Sequence, residues 1–540
     1  MRLEEMKLQT SPFLEGYLQA DLDVARFFDY QKPYDKQEWM KRLQELKRHP
    51  FPRKELTDYL VSYNEKIGSS NKTMNTIQKL NNPETVTVVG GQQAGLLTGP
   101  LLVIYKCISI IQLAKQAEKE LGVPVIPVFW IAGEDHDMDE INHIMLPKNN
   151  TAKKTSLKAA SAIKSSASLW KWNPDDVKPW ISEVFRSFGE TAYTQDFKME
   201  TERILEESDS IVTFFAKLIT KWFSEEGLVL LDSGDPEYKK IQTPYLKKMI
   251  MNNPKIDEAF RAQSKELNKL GFNDPIEIQP DNAHLFYTKN DERILLFRDG
   301  SNFTSKEKDF TISVNQLLVE ADMHPERFSN NVVTRPLMQE FLLPTLSFIA
   351  GPGEIAYWAT LRKVFYLFDR KMPILTPRLS VTLVPERTNR LLEEKGLEVI
   401  QVLEKGTETY KREWFEENRP VETNEAVQTV KAEMKDSYSK LIKLAQVIDE
   451  NLLPVTEKNL DRIFSEIEYI EKKMEQRLRK KVKVPLAQYD EIMLDLKPTG
   501  VLQERVWNVY QYMNESGPEL INQLVQYPFT FNEKHKILYL

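Results

Sequence analysis

The segment from Thr85 to Glu140 constrains the fold more than any other part of the chain. Thr85-Val86-Thr87-Val88-Val89 reads as a short buried strand running into Gly90-Gly91. Leu101 to Leu121 reads as a helix, with Pro100 suited to its first turn. Val123 to Ile131 is a second apolar strand, ending at Gly133-Glu134-Asp135-His136. Strand, glycine loop, helix, strand is a βαβ unit. Parallel strands need such a crossover, and it is right-handed. In open α/β sheets the ligand lies outside the carboxyl ends of the strands. Both the Gly90–Gly99 loop and the acids from Glu134 to Asp139 fall at such ends. Glycine is scarce, 19 in 540 residues, yet six of them are Gly90, Gly91, Gly95, Gly99, Gly351 and Gly353. Scarce glycine spent in clusters marks backbone that turns sharply or approaches a ligand closely.

Length and charge narrow the class. A chain of 540 residues predicts two to four structural units. With 41% hydrophobic and 28% charged residues it is globular in composition, and its net charge of −7 gives no sign of a nucleic-acid coat or a polybasic membrane anchor. No apolar run reaches the ~20 residues of a membrane span. Leu96 to Leu113 comes nearest and is broken by Thr98, Lys106, Ser109 and Gln112. A single cysteine, Cys107, excludes an internal disulfide and a multi-cysteine zinc or iron–sulfur site. The expectation is a cytoplasmic protein without a metal centre, a nucleic-acid partner or a membrane partner.

The predicted architecture is α/β: a Rossmann-like parallel-sheet core with inserted connecting segments, followed by a C-terminal α-helical coiled-coil region. Residues 1–147 hold an N-terminal helical segment and the first part of the core. Residues 148–210 are an inserted connecting segment. Its opening, 148–171, has six lysines and no acid and reads as a loop. Residues 211–384 complete the core with a further insertion, and strands are expected at Gly227–Asp232, Ile294–Phe297 and Thr345–Ile349. Residues 385–500 read as a helical hairpin. Val427, Val430, Met434, Ser437, Leu441, Leu444, Ile448, Asn451 and Val455 alternate spacings of three and four, as do Leu460, Ile463, Ile467, Ile470 and Met474. Residues 501–540 return to the core, with Tyr527–Phe531 and Ile537–Leu540 strand-like.

Three constellations carry chemistry. In Gly90-Gly91-Gln92-Gln93-Ala94-Gly95-Leu96-Leu97-Thr98-Gly99-Pro100, a strand-to-helix loop exposes backbone N–H groups beside a helix N-terminus, a setting for phosphate or carboxylate. It is neither a Walker A motif nor GxGxxG. Glu134-Asp135-His136-Asp137-Met138-Asp139-Glu140 packs five acids and a histidine into seven residues, suited to a metal, a substrate amine or a general base. A continued strand puts Asp135, Asp137 and Asp139 on one side; a helix instead sets His136 facing Glu140. Arg335, in Thr334-Arg335-Pro336, is a permanent cation for carboxylate or phosphate. Glu354 and Tyr357 follow in Gly351-Pro352-Gly353-Glu354-Ile355-Ala356-Tyr357-Trp358.

Together these stretches resemble one family over the full length: the cysteine-adding enzymes of bacillithiol synthesis. The resemblance implies attachment of cysteine to glucosaminyl-malate by a ligase that forms a carbon–nitrogen amide bond. It further implies nucleotide binding (ATP/ADP, with Mg²⁺ as an accompanying ion) and a homodimer joined by the coiled coil. On that reading Asp137, His136 and Asp135 are catalytic, with Asp137 or His136 the base that deprotonates the attacking ammonium. Gly91, Gln92, Gln93, Thr98, Gly99, Arg335, Gly351, Gly353, Glu354 and Tyr357 bind substrate or nucleotide, the loop holding an anion and Arg335 the malate carboxylates. Adenylate and acyl phosphate both remain open as the activated species. More distantly the core is similar to class I aminoacyl-tRNA synthetases; Leu102 and Tyr105 stand where the histidines of their signature would fall. The second functional reading is a nucleotide-binding coiled-coil interaction protein without ligase activity.

Overall fold

The computed structural model describes residues 1–148, 150–158, 166–273, 275–277, 279–290 and 292–540. The chain divides into two compact units. The first comprises residues 1–148, 152–385 and 501–540; the second comprises 149–151 and 386–500.

The βαβ segment is the centre of the first unit. A five-stranded sheet holds β1 (Val86–Gln92), β2 (Val125–Ile131), β3 (Val229–Asp232), β4 (Thr345–Ala350) and β5 (Ile374–Pro377). They lie in the order β3-β2-β1-β4-β5, and every neighbouring pair is parallel. The order reverses at β1, so the switch point lies between the carboxyl ends of β1 and β4. Both faces of a parallel sheet are covered, which is why its strands read as continuous apolar runs. Val88, Val89, Ile126, Val128, Phe129, Ile131, Leu231, Phe348 and Ile349 are fully buried, each contributing roughly 1.5–3 kcal/mol. The crossover helix α1 (Leu102–Leu121) ends at Gly122 in the left-handed conformation and buries Ile104, Cys107, Ile108 and Ile111. Burial pushes the Cys107 thiol far above its usual range, as expected of a packing thiol.

Three further helices frame the sheet's ends: α2 (Pro236–Met251), α3 (Thr334–Leu342) and α4 (Pro352–Trp358). At the amino end of β4, Arg42 reaches in from the helix Lys36–Leu46. It donates to both carboxylate oxygens of Glu340 at 2.7 Å and to the Thr345 carbonyl at 3.0 Å.

The strand expected at Ile294–Phe297 is present, within Glu292–Asp299, and pairs with Asn282–Lys289 in a separate antiparallel sheet. Other expectations are corrected. The terminal strands Arg2–Met6 and His535–Tyr539 pair with each other and, through the latter, with Val381–Val384. Tyr527–Phe531 forms no strand, and β5 was hidden because four residues give too little alternation to read. Within 148–171, Thr151–Ser156 is a strand in a two-stranded sheet with His143–Lys148. Residues 159–165 of that segment lie outside the described residues. Trp358, which closes the Gly351–Trp358 stretch, is fully buried against Phe348.

In the second unit the helices Asn424–Ile448 and Leu453–Lys481 run antiparallel, held by Lys431–Glu468 and Tyr438–Asn459. The inward face of the first helix carries Val427, Met434, Tyr438, Ile442 and Ala445, of which only Val427 and Met434 belong to the stripe read from the sequence. Val430, Leu441, Leu444, Ile448 and Val455 are exposed, as are Ser437 and Asn451. Apolar residues cover both stripes, so spacing alone does not say which one faces the partner helix.

Candidate functional site

The carboxyl ends of the five strands carry a connected row of polar side chains. At the switch point α1 places Lys106 beneath the glycine loop. Its ammonium donates to the Gly91 carbonyl (2.7 Å), to Gln92 Oε1 (3.1 Å) and to Glu354 Oε2 (2.7 Å). Glu354 also accepts from the Gly351 N–H at 2.7 Å, so it caps α4 and ties β4 to β1. Burial lowers the pKa of Lys106; Glu354 opposes that, while Arg378 and Arg335 add to it. At the end of β5, Arg378 donates to Glu504 at 2.6 Å.

On the other side of β1 the acids begin. Gln93 Nε2 donates to Asp135 Oδ2 at 2.7 Å, and the His136 N–H donates to Asp135 Oδ1 at 2.7 Å. Arg293, from the antiparallel sheet, lies with its guanidinium 3.6 Å from the Phe286 ring centre. It donates to Ser329 Oγ, to the Asn330 carbonyl and, at 2.6 Å, to His136 Nδ1. A guanidinium has only donors, so Nδ1 is the accepting nitrogen and the ring proton sits on Nε2. Nδ1 is therefore not placed to act as a base. Glu134 is buried, pairs with Lys239 of α2 and accepts from the Asn330 N–H. At the end of β3, Ser168 Oγ lies 2.8 and 3.0 Å from the two oxygens of Asp232, which also accepts from the Gly234 N–H. Burial outweighs these bonds and pushes Asp232 up to about 7.

The glycine loop differs from its expected form. Two of its N–H groups are spent within it, Gly95 on the Gln93 carbonyl and Gly99 on that of Leu96, and Leu101 just beyond it donates to the Trp507 carbonyl. Asn508 donates to the carbonyls of Leu97 and Gly99 at 2.8 and 2.7 Å. The turn is braced by these bonds. Leu97 and Thr98 have φ of 49° and 72°, and Gly99 has φ 71° with ψ −152°, a conformation open in practice only to glycine. At Gly91 a Cβ would stand 2.9 Å from the Trp130 carbonyl.

Above the loop is a cleft of about 480 Å³ whose walls include Gln92, Gln93, Thr98, Asp139, Glu140 and Arg505. The Thr98 hydroxyl is buried without a hydrogen-bond partner among the described residues. A second cavity, of about 310 Å³, opens at the ends of β4 and β5 and shares Arg505 with the first. Its walls include the apolar Leu14, Pro352, Ile355 and Leu379.

The structure thus brings together Gly91, Gln92, Gln93, Asp135, His136, Gly351 and Glu354. Thr98 and Gly99 lie in the same cleft wall. Gly353 is open, with nothing near its Cα that a side chain would meet. Asp137 is exposed at the N-cap of a four-residue helix and makes no hydrogen bond there. Neither the continued strand nor a long helix forms, so Asp135, Asp137 and Asp139 do not share a face. Arg335 and Tyr357 form a separate pair: Arg335 donates to Tyr357 Oη at 3.1 Å and lies over the Phe348 and Trp130 rings. Arg335 has no carboxylate partner among the described residues. Those residues also contain no group of three histidine, cysteine or acidic side chains arranged for a metal ion. Sequence reasoning missed Lys106, Arg293, Asp232 and Arg505. The first had a signal: one lysine among Val103, Ile104, Ile108 and Ile110 on a buried helix.

Two family descriptions cover the chain. "Bacillithiol biosynthesis BshC, N-terminal Rossmann-like domain" matches residues 1–379, and "Bacillithiol biosynthesis BshC, C-terminal coiled-coil domain" matches residues 381–540. Relatives named "Putative cysteine ligase BshC" are similar end to end. Those of Bacillus licheniformis and Bacillus velezensis are each 38% identical over 540 residues, and that of Bacillus anthracis is 36% identical over 538; each alignment covers all of both chains.

Proposed function

Starting from a chain that belongs to the BshC family of bacillithiol biosynthesis, we infer that it is a cysteine ligase, joining the carboxyl of cysteine to the amine of glucosaminyl-malate as an amide. The observation that carries this reading is the cleft at the end of β1. There the carboxylates Asp139 and Glu140 share walls with the amides Gln92 and Gln93 and with Arg505, suiting a ligand that bears both an amine and anionic oxygen. A carboxylate is a poor electrophile, so a nucleotide such as ATP, with Mg²⁺, supplies the leaving group. The residues that fit a nucleotide are the apolar Leu14, Ile355 and Leu379 for a base, with Arg505 for the anionic end. As the new C–N bond forms, the amine loses a proton. Asp137, exposed like Asp139 and Glu140, takes it, because Nδ1 of His136 is engaged by Arg293. Arg335 holds a malate carboxylate.

Purified protein given cysteine, glucosaminyl-malate and ATP is expected to yield the coupled thiol with nucleotide consumption. No product and no ATP turnover with all substrates present overturns the reading. The exposed stripe of Val430, Leu441, Leu444 and Ile448 is the surface through which two copies pair in the cytoplasm. Leu441→Asp with Leu444→Asp should give monomers by light scattering; an unchanged dimer places the interface elsewhere.

A further inference from the structure

Gln92 and Gln93 are neighbours in sequence, yet their amides are locked in opposite senses. The atom of Gln92 that meets Lys106 must be its oxygen, because an ammonium only donates. The atom of Gln93 that meets Asp135 must be its nitrogen, because an ionised carboxylate only accepts. This assignment follows from the chemistry of the partners and does not depend on telling oxygen from nitrogen in the amide. Lys106 is itself held by the Gly91 carbonyl and by Glu354, and Asp135 by the His136 N–H, so neither lock turns freely. The polar atom of each amide not already engaged is therefore fixed: the donor Nε2 of Gln92 and the acceptor Oε1 of Gln93. Both side chains line the 480 Å³ cleft, Gln92 on the switch-point side and Gln93 on the side of the acids.

We propose that Gln92 and Gln93 are specificity residues that read a paired feature of one substrate: an amine with an oxygen acceptor on the adjacent carbon. The amine donates to Gln93 Oε1 beside the acidic cluster, and the oxygen accepts from Gln92 Nε2. This rests on the ligase reading for the choice of substrates, and two of them carry the feature. An α-amino acid has its ammonium next to a carboxylate, and an amino sugar has its amine next to a hydroxyl. A ligand presented the other way round would set donor against donor and acceptor against acceptor, so the pair also fixes orientation.

The test uses two variants of the full chain. Gln92→Glu keeps an oxygen for Lys106 but replaces the outward N–H with a second acceptor. Gln93→Met removes the outward acceptor. Binding of cysteine and of glucosaminyl-malate is measured separately by titration, and KM for each is measured in the coupled reaction. Both variants should weaken binding of the same substrate, and only that one, by about tenfold or more, with melting within about 2 °C of the parent. Which substrate responds identifies the source, amino acid or amino sugar. An analogue of it lacking the adjacent oxygen should bind parent and Gln92→Glu equally. Should Gln92→Glu fail to fold, Gln92→Asn withdraws the amide by one methylene and carries the same expectation. Affinities within twofold of the parent for both substrates, effects on different substrates, or a parent that binds neither, overturn the proposal. Loss of binding in the variants with no product from the parent leaves the proposal standing and overturns the ligase reading alone.

Discussion

Two buried ion pairs bracket β4, and they do different things. At the amino end Arg42 and Glu340 have side chains 0% and 1% exposed. At the carboxyl end Lys106 and Glu354 are 2% and 24% exposed. The first pair is bidentate, and its arginine also donates to backbone at Thr345 and Lys371. It binds an N-terminal helix to the sheet and lines neither of the two cavities at the strands' carboxyl ends. The second ends in a point charge whose three acceptors are a strand end, a glutamine in the cleft and a helix cap. The arginine fork satisfies fixed backbone, whereas the lysine sets the shape of a surface that a ligand meets. Burial of charge costs the same kind of free energy in both places; the difference lies in what the satisfied geometry holds in position.

Breaking the amino-end pair should have the largest effect. Arg42→Met leaves Glu340 buried without its cation and is expected to destabilise the fold by about 3–5 kcal/mol, read by denaturant unfolding. Replacing both, Arg42→Met with Glu340→Leu, should recover most of that loss, and the protein that remains folded should keep the parent's KM values. A catalytic defect in the folded double variant would show that the two ends of β4 are not independent.

Lys106→Met comes next. It removes the brace on Gly91, Gln92 and Glu354 while keeping an apolar stem of similar length. Product formation should fall about 100-fold, the scale expected when a site is displaced by about 1 Å. Stability should change less than in Arg42→Met, since Glu354 is partly exposed and keeps the Gly351 N–H. Steady-state kinetics beside a melting curve separates the two effects. A variant that melts early yet turns over normally would make this second pair structural as well.

The contrast also shows what the sequence revealed and what it hid. The parallel core was readable because its strands are buried on both faces and punctuated by glycine, as at Val86–Gln92. The ends of the strands were readable too, which is why Gln92, Gln93, Asp135 and Glu354 surfaced as candidates. Their partners were not. Lys106, Arg293 and Lys239 lie 14, 157 and 105 positions from the groups they hold. No local pattern encodes a contact made by tertiary folding. The same limit explains the acidic cluster. Five acids within seven residues looked like one site, but the turn after β2 sends Glu134 to Lys239, Asp135 to Gln93 and Asp137 to solvent. In the helical hairpin two apolar stripes were merged into one seam, because a period of 3.5 fits either face.

The smallest expected effect concerns a third buried charge, at the end of β3. Asp232 has no cation in hydrogen-bond contact; Ser168 and the Gly234 N–H hold it, and burial pushes it up to about 7 from an ordinary value of 3.8. The folded state therefore keeps a proton that the unfolded chain has released once pH exceeds about 4. Between those two values the folded state binds more protons, so stability falls as pH rises, and above about 7 it levels. Asp232→Asn, which stays neutral and still accepts from Ser168, should abolish this component of the slope and be the more stable protein at pH 8, with little difference at pH 4.5. Unfolding followed at several pH values tests it. A parent and variant with parallel pH profiles would mean that Asp232 is ionised throughout. Its carboxylate would then be carried by the hydrogen bonds of Ser168 and Gly234 alone, and the carboxyl end of the sheet would tolerate an unpaired charge that its amino end, at Glu340, does not.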